Sequence, residues 1–170
     1  RRLDHKTELG AVALNLRDDA AVAAALARIR ANLAARAPDI ALDRVLVETM
    51  VGDPIAELIV GVKRDPAFGL VLVVGAGGTL VELMADTATV LLPTSRADVT
   101  DALSRLKTAK LLGGFRDRPK ADMAHVVDAV QAVAAYAWAE RDRLVELDVN
   151  PLIVTAAGAV AADALVRLAA

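Results

Sequence analysis

Apolar and polar positions change period along this chain, and the changes mark out its elements. Gly10 to Leu16 alternates as a strand does, and Asp18-Asp19 then offers a cap to AAVAAALARIRANLAARA, whose alanine and leucine content favours a helix. Pro38-Asp39 stops that helix. Arg44 to Met50 and Ile55 to Lys63 read as two strands separated by Gly52-Asp53-Pro54. Arg64-Asp65-Pro66-Ala67-Phe68-Gly69 predicts a turn, because proline fixes φ and glycine relieves the close. Leu70 to Val74 is a continuous aliphatic run and predicts a central strand. Helices follow from Arg96 to about Leu106 and from Asp122 to about Arg141, with the irregular Gly113-Gly114 segment between them. Leu144, Val145, Leu147 and Val149 mark one strand and Leu152 to Thr155 another, which Ala156-Ala157-Gly158 folds back onto Val160-Ala161-Ala162. No internal repeat, low-complexity tract or linker interrupts this order, so one α/β unit is predicted.

Composition narrows the function classes. The chain has 170 residues, 56% of them hydrophobic, which is enough for a core and excludes disorder. That core is aliphatic, since Phe68, Phe115, Tyr136 and Trp138 are the only aromatic residues. A net charge of -2 leaves no electrostatic footprint for nucleic acid. The absence of cysteine removes disulfides, thiolate nucleophiles and zinc-thiolate sites, and fits a cytosolic protein. Val126 to Ala139, the longest apolar stretch, is interrupted by Asp128 and Gln131 and is too short for a membrane span. No signal peptide is evident.

Polar residues inside apolar strands carry the candidate chemistry. Asp148, Asn150 and Asp163 lie among strand-forming residues, where a carboxylate must be solvated, paired or metal-bound. Two carboxylates and an amide carbonyl suit Mg²⁺ carrying nucleotide phosphates, and the same aspartates equally suit strand ends at solvent. Gly75-Ala76-Gly77-Gly78-Thr79 follows the central strand; its backbone N–H groups can form an anion nest, although alone the segment reads as a tight turn. It matches neither a Rossmann nor a Walker motif. His5 carries a ring nitrogen able to hold a phosphoryl group, with Lys6 and Thr7 to offset its charge; by itself this trio reads as solvated surface. Glu57, in an apolar strand, needs either Lys63 or Arg64 as a partner or a function. Glu48 fits a polar strand face. Arg64 either contacts phosphate or ties its turn to Asp65, His125 sits in a helical pattern and reads as structural, and Arg116 and Arg118, near Gly113-Gly114, could serve anions but are set aside as ordinary exposed loop cations.

Six segments in order resemble one family. HKTELG (His5 to Gly10), VLVETMV, AELIVGVKRDPAFG, VGAGGTLVEL, LLGGFRDRP and the Asp148-Val149-Asn150-Pro151 stretch followed by Asp163 are similar to the ATP-grasp domain of NDP-forming acyl-CoA synthetases, relatives of the succinyl-CoA synthetase β subunit. This resemblance implies an ATP-grasp fold, an α/β (α+β) sandwich with a mostly antiparallel sheet and flanking helices. It implies that residues 1–170 form the C-terminal portion of that domain, with the N-terminal subdomain absent. His5 would relay phosphate, and Lys6, Thr7, Glu48, Glu57, Gly77, Gly78 and Glu82 would bind nucleotide. Asp148 and Asn150, with Asp163 on the next strand, would hold Mg²⁺. The implied cofactors are Mg²⁺ and ATP/ADP, with GTP/GDP open, and the implied partners are CoA-binding and ligase domains or a subunit of the same enzyme. Where the family has Gly-Gly, this chain has Gly10-Ala11, a departure that stiffens the loop. A domain divided at its cleft leaves apolar surface, so a homo-oligomer is expected. A synthetase-like effector-sensing module joined to a protein acetyltransferase is the alternative function.

Overall fold

The computed structural model describes residues 6–78 and 85–169. Two compact units divide the chain, Arg1–Met50 and Val51–Ala170.

In the first unit the alanine-rich segment forms α1, Asp19–Arg36, and buries the stripe Ala25, Ile29 and Leu33. The spacing of four residues puts those side chains on one face. The Asp18 side chain caps the helix by accepting from the Ala21 N–H at 2.7 Å. Gly10–Leu16 and Arg44–Met50, both predicted as strands, form no ladder among the described residues. Alternation shows that a segment is able to lie on a sheet; a strand also needs a partner edge for its backbone groups.

The second unit is a six-stranded antiparallel sheet with helices on one face. Its elements are β1 (Ala56–Asp65), β2 (Gly69–Ala76), β3 (Thr87–Leu91), α2 (Arg96–Ser104), α3 (Ala109–Leu112), α4 (Met123–Ala139), β4 (Leu144–Thr155), β5 (Gly158–Ala161) and β6 (Ala164–Leu168). The strand order is β3-β2-β1-β4-β5, with β6 pairing the first half of β4. Leu58, Val60 and Val62 of β1, Leu72 and Val74 of β2 and Val149 and Val154 of β4 are buried in one core with Val99 and Leu103 of α2 and Val126 and Val130 of α4. The opposite face of the sheet carries Glu57, Gly61 and Lys63 of β1 and Glu146 and Asp148 of β4, set by the two-residue period of the strands.

Local chemistry fixes the connections. Asp65 Oδ1 accepts the N–H groups of Ala67 and Phe68, at 2.8 and 3.0 Å, building the predicted turn. Arg64 does not tie the turn to Asp65; its guanidinium donates to the carbonyls of Arg141 and Leu144, bracing the α4–β4 connection against β1. Asp122 caps α4 and sits 2.9 Å from His125 Nδ1, so His125 has the structural surroundings its helical pattern predicts. Among the described residues, no helix is long and apolar enough to cross a membrane.

Candidate functional site

β4 carries proline in a central strand, and the sheet accommodates it with a bulge. Leu58 pairs with Leu152 and Val60 with Val149, so Asn150 and Pro151 together oppose Ile59. Proline has no N–H to give the ladder, and an extra residue at this point removes the demand. Burial changes phase across the bulge: Leu147 and Val149 are buried before it, Leu152 and Val154 after it. One continuous strand therefore replaces the two predicted, and both halves keep their apolar side on the core.

The bulge also assembles polar groups. The Asn150 N–H donates to the Asp163 carbonyl at 3.1 Å and the Ala162 N–H to the Pro151 carbonyl at 3.0 Å, latching the β5–β6 bend to β4. Asp163 occupies that bend, a correction to its expected place on the next strand, because the chain turns there between two ladders on the same side of β4. Asp163 Oδ1 accepts the Ala164 N–H at 3.0 Å.

Asp148 lies two residues before the bulge on the open face, opposite Gly61 and Leu165. A Cβ on Gly61 would lie 3.6 Å from Asp148 Oδ1, which places the carboxylate over Gly61 at ordinary contact distance. Burial pushes the Asp148 carboxyl above its ordinary value, and the charges of Glu146 and Asp163 push it further. Glu146, missed as a candidate, is paired with Arg167 at 3.3 Å. Its two-residue spacing from Asp148 was the available signal. A carboxyl raised in the folded state adds stability below its unfolded pKa and loses it as pH rises through the folded value. Asp148→Asn is therefore expected to raise the melting temperature at pH 7, with the gap closing as pH falls below the ordinary carboxylate range; an equal gap at every pH would contradict the electrostatic cause. No three His, Cys, Asp or Glu side chains among the described residues converge to hold a metal. A cation here would draw on the Asp148 and Asp163 carboxylates, the Asn150 amide and oxygens of its ligand, the donor set that Mg²⁺ takes with phosphates.

Glu57, Gly77 and Gly78 form a second cluster at the end of the sheet where β1 starts and β2 finishes. The Gly77 N–H donates to the Glu57 carbonyl at 2.7 Å, and a Cβ at Gly77 would sit 2.9 Å from the Glu57 carbonyl carbon. Any side chain there would break this approach. Gly78 has φ +86°, and a Cβ on it would lie 3.5 Å from Glu57 Oε2. Glu57 is exposed on the face opposite the core and forms no ion pair with Lys63 or Arg64 among the described residues, so the partner expected for it in an apolar strand is not required. Four residues separate Glu57 from Gly61, beside Asp148, a span of about 13 Å along one strand face. Glu82, like His5, lies outside the described residues.

Asp86 anchors the return from the glycine segment. It is 5% exposed, and its carboxylate accepts the Lys107 N–H at 2.7 Å, the Thr108 N–H at 2.8 Å and the Thr108 hydroxyl at 2.7 Å. Burial raises its pKa, but these hydrogen bonds outweigh that effect and hold it below the ordinary value. Its own carbonyl accepts the Ala76 N–H at 2.9 Å.

Lys6, Thr7 and Glu48 belong to the first unit. The Lys6 and Thr7 carbonyls accept the N–H groups of Ala11 and Gly10, at 2.9 and 3.0 Å, closing a compact turn. Asn32 and Arg36 of α1 donate to the carbonyls of Gly10 and Glu8, at 2.9 and 2.8 Å. Gly10 has φ +66°, and a Cβ there would fall 2.5 Å from Asn32 Nδ2, so this position requires glycine. Glu48 is exposed on a segment that is neither helix nor strand.

A family model described as ATP-grasp domain matches residues 1–168. A trans-feruloyl-CoA synthase from an unknown prokaryotic organism is 38% identical over 92% of this chain and 22% of its own length. The ADP-forming acetate–CoA ligase of Methanocaldococcus jannaschii is 34% identical over 88% of this chain and 21% of its own. This chain thus spans about a fifth of those relatives, but 70% of the β subunit of ADP-forming acetate–CoA ligase II from Pyrococcus furiosus, which is 30% identical over 96% of this chain. Among solved structures, an acetyl-coenzyme A synthetase 1 of Ca. Korarchaeum cryptofilum has a TM-score of 0.82 and 31% identity, covering 98% of this chain and 72% of that one. It is in complex with coenzyme A and Mg-AMPPCP, its phosphohistidine segment pointing towards the nucleotide binding site. The same enzyme with coenzyme A and Ca-AMPCP has a TM-score of 0.88 and 31% identity, over 95% of this chain and 70% of that one. The antiparallel sheet, its one-sided helices and the match along nearly the whole chain agree: this protein belongs to the ATP-grasp domain family, with the β subunits of ADP-forming acetate–CoA ligases among its members.

Proposed function

We propose that this chain is the nucleotide-binding part of an NDP-forming acyl-CoA synthetase, completed by CoA-binding and ligase domains of the same enzyme or of a partner subunit. The observation that carries this reading is the latch between Asn150 and Asp163 beside Asp148, which gathers an amide and two carboxylates at one bulge. A carboxylate raised by burial and like charge is relieved by a cation, so the site fits Mg²⁺ and the nucleotide phosphates it accompanies. The ion supplies neutralisation of phosphate charge. Gly77 and Gly78 let backbone approach the phosphates, Glu57, Glu48 and Glu82 serve the nucleotide, and Lys6 and Thr7 offset charge beside His5. A ring nitrogen of His5 attacks the terminal phosphorus, the bond to the departing nucleoside diphosphate breaks, and the phosphohistidine carries the phosphoryl group toward the acyl carboxylate. The relatives' ADP-forming reactions favour ATP/ADP as the nucleotide pair.

Asp163→Asn tests the metal assignment. It is expected to weaken Mg²⁺-dependent nucleotide binding at least tenfold, about 1.4 kcal/mol, and to leave the melting temperature nearly unchanged because Asp163 is exposed. Calorimetry showing unchanged Mg²⁺-dependent affinity in the folded variant would overturn it.

A further inference from the structure

The connection from α3 to α4 concentrates positive charge. Lys110, Arg116, Arg118 and Lys120 stand against two acids, Asp117 and Asp122, and Asp122 is taken up capping α4. None of these four cations forms an ion pair among the described residues; the Arg116 guanidinium instead rides 5.1 Å from the centroid of the Phe115 ring, and that ring is itself 45% exposed.

Backbone geometry shows that the loop is held in a definite shape. Arg116 and Asp117 have φ +51° and +60°, consecutive left-handed residues without glycine's freedom, one residue beyond Phe115, which follows Gly114 at φ +89°. Such conformations are disfavoured for L-residues and persist where the surroundings fix them. Here the Arg118 N–H donates to the Phe115 carbonyl at 3.3 Å and the Ala121 N–H to the Leu112 carbonyl at 2.9 Å, closing the loop across its base.

Both ends of the connection are pinned to the same end of the sheet. At its start Thr108 is bound to Asp86, whose carbonyl holds Ala76, the residue before Gly77. At its finish His125 lies near Gly158, where an added Cβ would stand 3.8 Å from the His125 Cβ, just after the Ala56–Val154 pair. The two flanks of this connection are thus tied to elements at the end of the sheet that carries Glu57, Gly77 and Gly78.

We infer that the Phe115–Lys120 loop is an anion-recognition site for phosphate groups, with Arg116 and Arg118 as the residues that contact them. Guanidinium groups pair bidentately with phosphate oxygens, and the Phe115 ring holds that of Arg116 in place. The inference rests on the nucleotide reading for its preferred source, a nucleotide's phosphate chain; free inorganic phosphate offers the same chemistry.

Calorimetry on the whole protein, with ATP, inorganic tripolyphosphate, orthophosphate and adenosine as titrants, tests it. The Arg116→Ala/Arg118→Ala variant is expected to lose at least tenfold affinity for ATP and tripolyphosphate, to keep its affinity for adenosine and to keep its melting temperature. Arg116→Lys, which retains charge without the planar fork, should fall between variant and wild type. Loss confined to ATP and tripolyphosphate assigns the loop to nucleotide phosphates, whereas equal loss for orthophosphate assigns it to free phosphate. Unchanged ATP and tripolyphosphate affinity in the folded double variant, alongside Asp163-dependent ATP binding, would overturn the loop assignment and leave the nucleotide reading standing. Arginine-dependent tripolyphosphate binding with no ATP binding in the wild type would do the reverse.

Discussion

Replacing His5 by Asn should abolish the acid-labile, base-stable phosphate that this domain acquires from labelled nucleotide, and acyl-CoA synthesis with it, while nucleotide binding stays largely intact. Asparagine keeps polarity but has no nucleophilic ring nitrogen, so the N–P bond cannot form. The turn that follows His5 is well braced by Asn32 and Arg36 of α1, so the substitution tests chemistry more than folding. Peptide mapping must locate the phosphate, both because a ligase-domain histidine would also be labelled and because His125 offers a second imidazole, paired with Asp122 at the start of α4. Full acyl-CoA synthesis by the His5→Asn enzyme would end the relay reading and return His5 to an ordinary loop residue.

The second large effect concerns stability. Asp86→Ala should destabilise the protein by about 4 kcal/mol, because the loss strands the Lys107 and Thr108 N–H groups and the Thr108 hydroxyl at a buried site, each worth roughly 1–3 kcal/mol. That is a large share of the about 5–15 kcal/mol that holds a typical domain. The Asp86 carboxyl is depressed in the folded state, so its contribution is present above the unfolded carboxylate pKa and is lost as pH falls through the folded value. Urea denaturation at pH 7 and at progressively lower pH should show the wild type and Asp86→Ala converging in acid. A difference under about 1 kcal/mol at pH 7 would mean that the three donors find other partners.

Elements whose sequence carries both a period and a boundary were legible. Asp18 before the alanine-rich helix and Asp122 before α4 are caps in the structure, and Leu70 to Val74 lies inside the buried β2. Gly10–Leu16 and Arg44–Met50 had the alternation without the ladder, because pairing is settled by distant residues. β3 and β6, each five residues long, were missed for the converse reason: Thr87–Leu91 and Ala164–Leu168 gain their strand character from β2 and β4. Pro151 looked like a strand break and is a bulge inside one strand.

For the site, Asp148, Asn150 and Asp163 could be picked out as polar residues in apolar company, and their latch at the bulge follows from β4 pairing on both sides. The approach of Gly77 to Glu57 depends on the β1–β2 register, which no local pattern encodes. Asp86 had no signal at all, since its partners lie 21 and 22 residues away.

Metal-nucleotide binding at the β4 bulge is the central claim, and Mn²⁺ in place of Mg²⁺ tests it directly. With nucleotide present, paramagnetic broadening of amide resonances should remove Gly61, Asn150 and Ala164 first, and leave the Asp65–Gly69 turn at the far end of β1 sharp. Broadening that centres elsewhere, or that reaches Asn150 equally without nucleotide, would contradict it.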